Sequence, residues 1–279
     1  MDVMTDNRLV PNLRFKGFED NWIKESLRNC TIKIGSGSTP RGGDKVYKKE
    51  GGIPFIRSQN VVNNELVLSG DVFISDEINS KMKGSIVKPN DVLLNITGGS
   101  IGRSCVVPFG FSKGNVNQHV CIIRLDNEVS PYFLQPFLAS QRGQKLIHQG
   151  QTGSGREGLN FQSIALFKLN LPSVEEQKKI SKFLRAIDKK LQQLSKKKEL
   201  LEDYKKGIIQ KIFSQEIRFK DHNGNEYPDW EELMLGNVGK LINGLTYSPK
   251  DISDDGVLVL RSSNIQNNQL SFENNVYVN

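Results

Sequence analysis

Residues 52–68 read GIPFIRSQNVVNNELVL, and residues 256–272 read GVLVLRSSNIQNNQLSF. The glycine, the arginine, the serine, the single asparagine, the Asn-Asn pair and the following leucine all recur at a constant spacing of 204 residues. Solenoid repeats have periods of roughly 20–50 residues. The much longer spacing therefore indicates that a whole domain is duplicated.

Flanking stretches extend the duplication in both directions. Arg14-Phe15-Lys16 returns as Arg218-Phe219-Lys220, and Trp22 returns as Trp230. The second copy stops after a segment that corresponds to residues 72–75, so we expect the chain to be a piece of a longer protein or a naturally shortened one. The pattern divides the chain into a first copy (1–173), a connecting segment (174–213) and the start of a second copy (214–279).

Composition limits the class of protein. The 279 residues are 37% hydrophobic and 25% charged, which is typical of a globular protein, and no apolar run is long enough for a membrane span or a signal peptide. Cys30, Cys105 and Cys121 lack C-x-x-C spacing, and we interpret them as reduced thiols. The sequence therefore predicts a cytoplasmic protein without a membrane anchor.

Charge is unevenly distributed along the three segments. Residues 1–173 carry a net charge of +6, residues 174–213 also carry +6, and residues 214–279 carry −5. Phosphate neutralisation supplies much of the affinity of proteins for nucleic acids. The first two segments are therefore candidates for binding DNA or RNA, although moderately basic segments are also common in proteins that bind neither.

The first copy has the pattern of a mixed α/β domain. Short β-branched runs predict strands at 92–97, 104–109, 119–125 and 161–172. Residues 130–150 predict a helix that Pro136 breaks or kinks.

The segment 174–213 predicts one long helix. Ser173 and Glu176 form an S-x-x-E capping box, and at about 1.5 Å per residue the helix would extend roughly 60 Å. Apolar residues alternate at spacings of four and three, as in a coiled coil. This seam consists of Ile180, Leu184, Ile187, Leu191, Leu194, Leu201, Ile208 and Ile212, with lysines at the two remaining positions. The alternative is an amphipathic helix packed on its own domain.

Four motifs resemble those of the specificity subunits of type I restriction-modification enzymes. They are Trp22 with Leu27 (W-x4-L), GSGSTP at 35–40, LPSVEEQKKI at 171–180, and the helix that follows. The second copy keeps Trp230 and Leu235, but LTYSP at 245–249 departs from the GxTP pattern. The resemblance implies an α+β chain: a mixed α/β target-recognition domain, a long coiled-coil-forming spacer helix, and the start of a second recognition domain.

The resemblance also implies a function. Each recognition domain would bind half of a bipartite site in double-stranded DNA, with the helices as a spacer. The subunit itself would do no chemistry and hold no cofactor. It would dock methyltransferase subunits that use S-adenosylmethionine to methylate adenine, and restriction subunits that use ATP and Mg²⁺ to cleave DNA.

Polar residues in glycine-rich loops are the candidates for DNA contact, because such side chains bind base edges and phosphates. They are Ser38, Thr39 and Arg41, Gln59, Thr97 and Arg103, and then Gln151, Thr152, Ser154, Arg156 and Asn160. Arg57 and Asn60 match Arg261 and Asn264, which favours a role in the scaffold. The alternative for each loop is an ordinary solvated turn.

Motifs for catalysis are not visible in the sequence. His119 has no nucleophile or carboxylate at a spacing typical of a catalytic site, so we interpret it as structural. TGGSIGRS at 97–104 lacks the spacing of a nucleotide-binding loop.

Two other functions stay open: an enzyme acting on nucleic acid, such as a nuclease, and a coiled-coil scaffold that binds protein. The seam needs a second helix, which the corresponding helix of a complete second copy would supply in a longer chain. For the chain as given, the sequence predicts that the same helix of another copy takes this place, in a homodimer through residues 174–213.

Overall fold

A computed structural model describes residues 11–70, 72–152, 158–244 and 246–278. The chain forms two compact units, one ending at Tyr204 and the other beginning at Lys205. The boundary falls inside the long helix, and the division predicted from the sequence at 173 and 213 stays a prediction.

Over its described residues, the first unit contains short strands and five helices, the last of which continues past Tyr204. Its strands are β1 (Ile23–Ser26), β2 (Thr31–Ser36), β3 (Ile53–Ile56), β4 (Val61–Val62), β5 (Glu65–Leu66), β6 (Val72–Ile74), β7 (Ile86–Val87), β8 (Val92–Asn95), β9 (Ser104–Val106), β10 (Gly114–Val116), β11 (Val120–Leu125), β12 (Gln151–Thr152), β13 (Gly158–Leu159) and β14 (Lys168–Leu171). Its helices are α1 (Asp76–Lys81), α2 (Pro131–Ala139), α3 (Gln141–Gln149), α4 (Phe161–Ala165) and α5 (Val174–Phe213).

Two four-stranded sheets form the body of this unit. One has the order β2-β11-β8-β9 and is antiparallel throughout. The other has the order β6-β3-β10-β7, in which β3 and β10 run parallel. Adjacent residues of a strand point to opposite faces, so Leu94 packs with Leu134 and Leu138 of α2 while Leu93 packs with Ile56 and Val116. The mixed α/β architecture predicted from the sequence is confirmed.

The helix predicted over 130–150 is two helices. The break falls at Ser140, and Pro136 lies inside α2. Ser140 Oγ accepts a hydrogen bond from the backbone N–H of Gly143 at 3.2 Å and so caps α3. A Cβ at Gly143 would lie 2.1 Å from the carbonyl oxygen of Phe137, so the tight corner requires a glycine there.

The strand predicted over 161–172 is wrong in its first half. Asn160 Oδ1 accepts a hydrogen bond from Ser163 N at 2.7 Å, and this cap starts helix α4. Only Lys168–Leu171 forms a strand, β14, which pairs with β1.

The start of α5 is anchored by buried polar groups. Ser173 Oγ accepts from Glu176 N at 3.3 Å, as the capping box requires. The Glu176 side chain, which is 1% exposed, does not return to the cap: it accepts hydrogen bonds from Arg14 Nε at 2.7 Å and Arg14 Nη2 at 2.6 Å. This pairing also raises the pKa of the Arg14 guanidinium. The predicted capping box is therefore only half formed, because the arginine offers the carboxylate a stronger partner.

The second unit repeats local structure of the first. It contains α6 (Leu235–Val238), β15 (Ile252–Ser253), β16 (Val257–Val259), β17 (Ile265–Gln266), β18 (Gln269–Leu270) and β19 (Val276–Val278), with the sheet order β15-β19-β16.

The repeated asparagines have the same backbone roles in both copies. Asn60 Oδ1 accepts from Arg57 N at 2.9 Å, and Asn264 Oδ1 accepts from Arg261 N at 2.9 Å. The Asn-Asn pairs at 63–64 and 267–268 all have φ between 50° and 66°, as a two-residue hairpin turn needs. The scaffold role predicted for Asn60 and Asn264 is confirmed.

Candidate nucleic-acid interface

Strand order brings five loops to one end of the first unit. β3 and β10 are parallel, so the segments after Ile56 and after Val116 start at the same edge. β11 is antiparallel to β2 and β8, so its beginning lies beside their ends. The loop cluster therefore consists of residues 36–41, 57–60, 96–103, 117–119 and the β12–β13 hairpin.

Backbone hydrogen bonds hold this loop cluster together. Asn117 N donates to Ile56 O at 3.0 Å, and Gly37 N donates to Asn117 O at 3.1 Å. Ile96 N donates to His119 O at 3.0 Å, and Leu159 N donates to Ile96 O at 2.9 Å. The loops are thus attached to one another by main-chain hydrogen bonds that do not involve the exposed side chains.

A chain of side-chain hydrogen bonds crosses the loop cluster. Thr39 Oγ1 donates to Gln118 Oε1, and Gln118 Nε2 lies 3.0 Å from His119 Nε2. His119 Nδ1 lies 2.6 Å from Thr97 Oγ1. The structure thereby links Thr39 and Thr97, two candidates for DNA contact, through Gln118 and through His119, which the sequence indicated only as a structural residue. The sequence signal for Gln118 was its place in a polar stretch between two strands.

The 57–60 loop is attached to the core by the side chain of a buried asparagine. Asn95, which is buried, donates through Nδ2 to Ser58 O at 2.8 Å and to Ser100 Oγ at 3.1 Å. The side chain of Gln59, the next residue of this loop, is exposed. Arg103 is exposed at the far end of the 96–103 loop, where its carbonyl oxygen accepts from Asn95 N at 2.8 Å.

The β12–β13 hairpin forms another side of the loop cluster. Gln151 is half-buried and Thr152 is exposed, and Thr97 bridges to Gly158 of the second hairpin strand. Asn160 uses its oxygen to cap α4 and its Nδ2 to contact Thr152 Oγ1 at 3.4 Å. Ser154 and Arg156 lie outside the described residues. Ser38 and Arg41 are exposed on either side of Thr39 and Pro40.

The seam of α5 is exposed along its middle. Ile187, Leu191, Leu194 and Leu201 are between 42% and 57% exposed, whereas Ile180, Leu184, Ile208 and Ile212 are partly buried. No residue of this seam is fully buried among the described parts of the chain.

Several contacts of α5 with its own unit lie on another face. Ser181 is buried, Arg185 Cζ lies 4.3 Å from the centre of the Tyr132 ring, and Gln192 hydrogen-bonds Glu65. At about 100° per residue, these three positions lie roughly 120° around the helix from the seam. Near its start, α5 also contacts its unit beside the seam, because Glu176 pairs with Arg14 and the Phe183 ring lies 5.7 Å from that of Phe15. Between Ile187 and Leu201 the seam stays exposed.

Among the described residues, the cysteines and the other metal-binding residue types form neither a disulfide nor a metal-binding cluster. Cys30, Cys105 and Cys121 are buried and unpaired, and burial raises the pKa of Cys30 to about 11 and that of Cys105 and Cys121 to about 12. Over the described ranges, no group of three or more His, Cys, Asp or Glu residues could hold a metal ion. No described helix is long and apolar enough to cross a membrane.

Comparison with known proteins gives consistent matches. A family model described as "Type I restriction modification DNA specificity domain" matches residues 30–203. The chain is 25% identical over 235 residues to the type I restriction enzyme MjaVIII specificity subunit of Methanocaldococcus jannaschii, covering 81% of this chain and 54% of that protein. It is 33% identical over 132 residues to the EcoBI specificity subunit of Escherichia coli, covering 46% of this chain and 27% of that one.

A solved structure shares the fold. The S subunit of a type I restriction-modification system from M. genitalium superposes with a TM-score of 0.51 at 16% identity, over 72% of this chain and 47% of that chain. The chain thus spans about half the length of the MjaVIII specificity subunit that it matches.

Proposed function

Because the chain belongs to the family of type I restriction-modification DNA specificity domains, we propose that its loop cluster binds one half of a bipartite site in double-stranded DNA. The convergence of five loops at one end of the first unit carries this proposal. Donors and acceptors from distant parts of the sequence are thereby presented together, as recognition of the major-groove pattern of a base pair requires.

The contacting residues are exposed or half-buried polar residues of these loops. We assign base or phosphate contact to Ser38, Thr39, Arg41, Gln59, Thr97, Arg103, Gln151 and Thr152, with Ser154, Arg156 and Asn160 completing the set. The backbone hydrogen bonds among the loops support this assignment, because a preorganised surface loses less conformational entropy on binding.

The chemistry belongs to partners of this chain. We assign adenine methylation to methyltransferase subunits that bind S-adenosylmethionine, and DNA cleavage to restriction subunits that use ATP and Mg²⁺. The complex would act in the cytoplasm, and this chain alone would neither methylate nor cut DNA. A purified chain that did either would refute this division of labour.

The exposed seam of α5 is assigned to helix pairing. A second copy of the chain offers an identical apolar seam, and a two-fold axis between the copies would present two identical loop clusters. A helix of 40 residues extends about 60 Å, which limits their separation to roughly 18 base pairs of DNA. The paired complex would then recognise an inverted repeat of one half-site.

The deciding experiment is methylome sequencing of a host that carries this chain with its methyltransferase partner. We expect one new methylated motif that disappears when the chain is deleted, and a palindromic motif if two copies pair.

Two matched arginine variants sharpen that experiment. Arg103→Ala should weaken methylation of the motif or relax it at one base pair, because Arg103 is exposed in the loop cluster. Arg28→Ala, an exposed arginine before the start of β2, should change neither because it lies at the opposite end of that strand. Unchanged methylation in a host with and without the chain would contradict the proposed function.

A further inference from the structure

His119 is held on every side within the loop cluster. Its ring contacts Thr97 Oγ1 through Nδ1 at 2.6 Å and Gln118 Nε2 through Nε2 at 3.0 Å. Its backbone N–H donates to Asn117 Oδ1 at 3.0 Å, and its carbonyl oxygen accepts from Ile96 N at 3.0 Å. Main-chain and side-chain bonds therefore place the imidazole before any ligand binds.

The atoms around the ring give these hydrogen bonds one direction. An amide nitrogen can only donate, so the contact with Gln118 Nε2 requires an unprotonated Nε2 on His119. The proton of the neutral ring is then on Nδ1 and is donated to Thr97 Oγ1. At the other end, Gln118 Oε1 accepts the hydroxyl proton of Thr39. Every bond of the chain thus points from Thr39 towards Thr97.

This direction decides what the two threonines offer to a ligand. The hydroxyl proton of Thr39 is donated to Gln118 within the row of hydrogen bonds, so Thr39 presents only its lone pairs to a ligand. Thr97 accepts a proton from His119, so its own hydroxyl proton is free to be donated outward. If the Gln118 amide were turned over, every bond would reverse and the two roles would be exchanged. Base edges differ in their order of donors and acceptors, so this reversal would change which base is favoured.

We propose that His119 is the positioning residue of the interface, and that its Nδ1–H form makes Thr97 the donor and Thr39 the acceptor towards DNA. The imidazole links the 36–41, 96–103 and 117–119 loops at their side chains. Its role towards DNA rests on the proposed function, but the direction of the hydrogen bonds from Thr39 to Thr97 can be measured without DNA.

The first test is NMR spectroscopy of the full chain with ¹⁵N-labelled histidine. The sequence contains three histidines, and His148 and His222 are exposed and serve as internal references. We expect His119 to show a protonated Nδ1 and an unprotonated Nε2. Thr97→Val should change the His119 signals and leave those of the other two unchanged. A His119 ring protonated on Nε2 would overturn the proposed direction.

The second test measures DNA binding by the complex with the methyltransferase partner. His119→Asn keeps a polar group near the position of Nδ1, His119→Gln keeps one near Nε2, and His119→Phe keeps neither. The phenylalanine variant should bind roughly tenfold more weakly or shift in base preference, because the links to two loops are lost. The asparagine and glutamine variants should each recover part of the binding. His222→Phe, the same change at an exposed histidine of the second unit, should have no effect.

The possible results separate this proposal from the proposed function. Equal affinity and equal base preference for wild type and His119→Phe would refute the positioning role. If His119→Phe does not fold, asparagine and glutamine variants that bind like wild type would refute it instead. If the wild-type complex binds no DNA although NMR shows the Nδ1–H ring, the proposed function fails and the hydrogen-bond direction stands.

Discussion

Replacing Leu191 and Leu194 by aspartate should separate two paired copies of the chain without unfolding it. The two leucines are 57% and 51% exposed in the single chain, so aspartate at either position would remain in contact with water. Both lie on the exposed middle of the seam, on a different face from Arg185 and Gln192, through which this part of α5 contacts its own unit. The double variant should therefore keep its helical circular dichroism and still melt cooperatively, at the temperature of the unpaired chain.

The expected loss follows from the area that pairing would bury. Full burial of a leucine side chain stabilises by about 1.5–3 kcal/mol. Roughly half of each side chain is still exposed, so each leucine should contribute about 1 kcal/mol on pairing. Two leucines in each of two copies give about 4 kcal/mol, which corresponds to roughly a thousandfold weaker association before the cost of the new charges is added.

Sedimentation equilibrium at micromolar concentration is the suitable assay. Wild type should sediment as a dimer and the double variant as a monomer. Ala186→Asp with Gln193→Asp introduces the same two charges at exposed positions outside the seam and should remain a dimer. A stable wild-type monomer, or equal dissociation by both pairs of substitutions, would refute the reasoning.

Three further predictions concern binding and stability. Arg156→Ala should weaken DNA binding of the assembled complex by about 1–3 kcal/mol if the guanidinium contacts a base, and unchanged affinity and target choice would make it an ordinary surface residue. Arg14→Ala should lower the melting temperature more than Arg218→Ala, since Arg14 pairs with a buried carboxylate and Arg218 with an exposed one; equal shifts in calorimetry would contradict this. Because burial raises the pKa of Cys105 and Cys121 to about 12, the free energy of unfolding should be level below about pH 8 and fall as the pH rises towards 12. Rapid alkylation of these thiols in the folded chain would count against that burial.

Local features of the fold could be predicted from the sequence because their hydrogen bonds join neighbouring residues. The recurring Asn-Asn pairs form hairpin turns in both copies, and the buried asparagines Asn60 and Asn264 close the same short loop. These turns form in the second copy even where corresponding apolar positions differ in burial: Leu27 is 0% exposed and Leu235 is 70% exposed. The short loops are thus specified by their own residues and do not need the surrounding core.

The long helix is a second feature that the sequence determined. Its length and its apolar seam follow from the regular spacing of apolar residues up to Phe213, and its start follows from the capping residue Ser173. The partner of the Glu176 side chain could not be predicted in the same way, because Arg14 lies 162 residues away in the sequence. A capping box and a buried ion pair place the same glutamate at the same helix position, and only the fold decides between them.

The candidate interface shows the same division. Glycine-rich loops with polar residues could be recognised one at a time, but the sequence did not show which loops meet. Their meeting depends on the parallel pairing of β3 with β10 and on the place of β11 between β2 and β8. One ring partner of His119, Gln118, is its neighbour along the chain, but the other, Thr97, lies 22 residues away after β8, so the sequence did not reveal the role of the ring. Sequence periodicity records interactions between neighbouring residues, whereas the network of Thr39, Gln118, His119 and Thr97 exists only because distant strands pack into sheets that end at one edge.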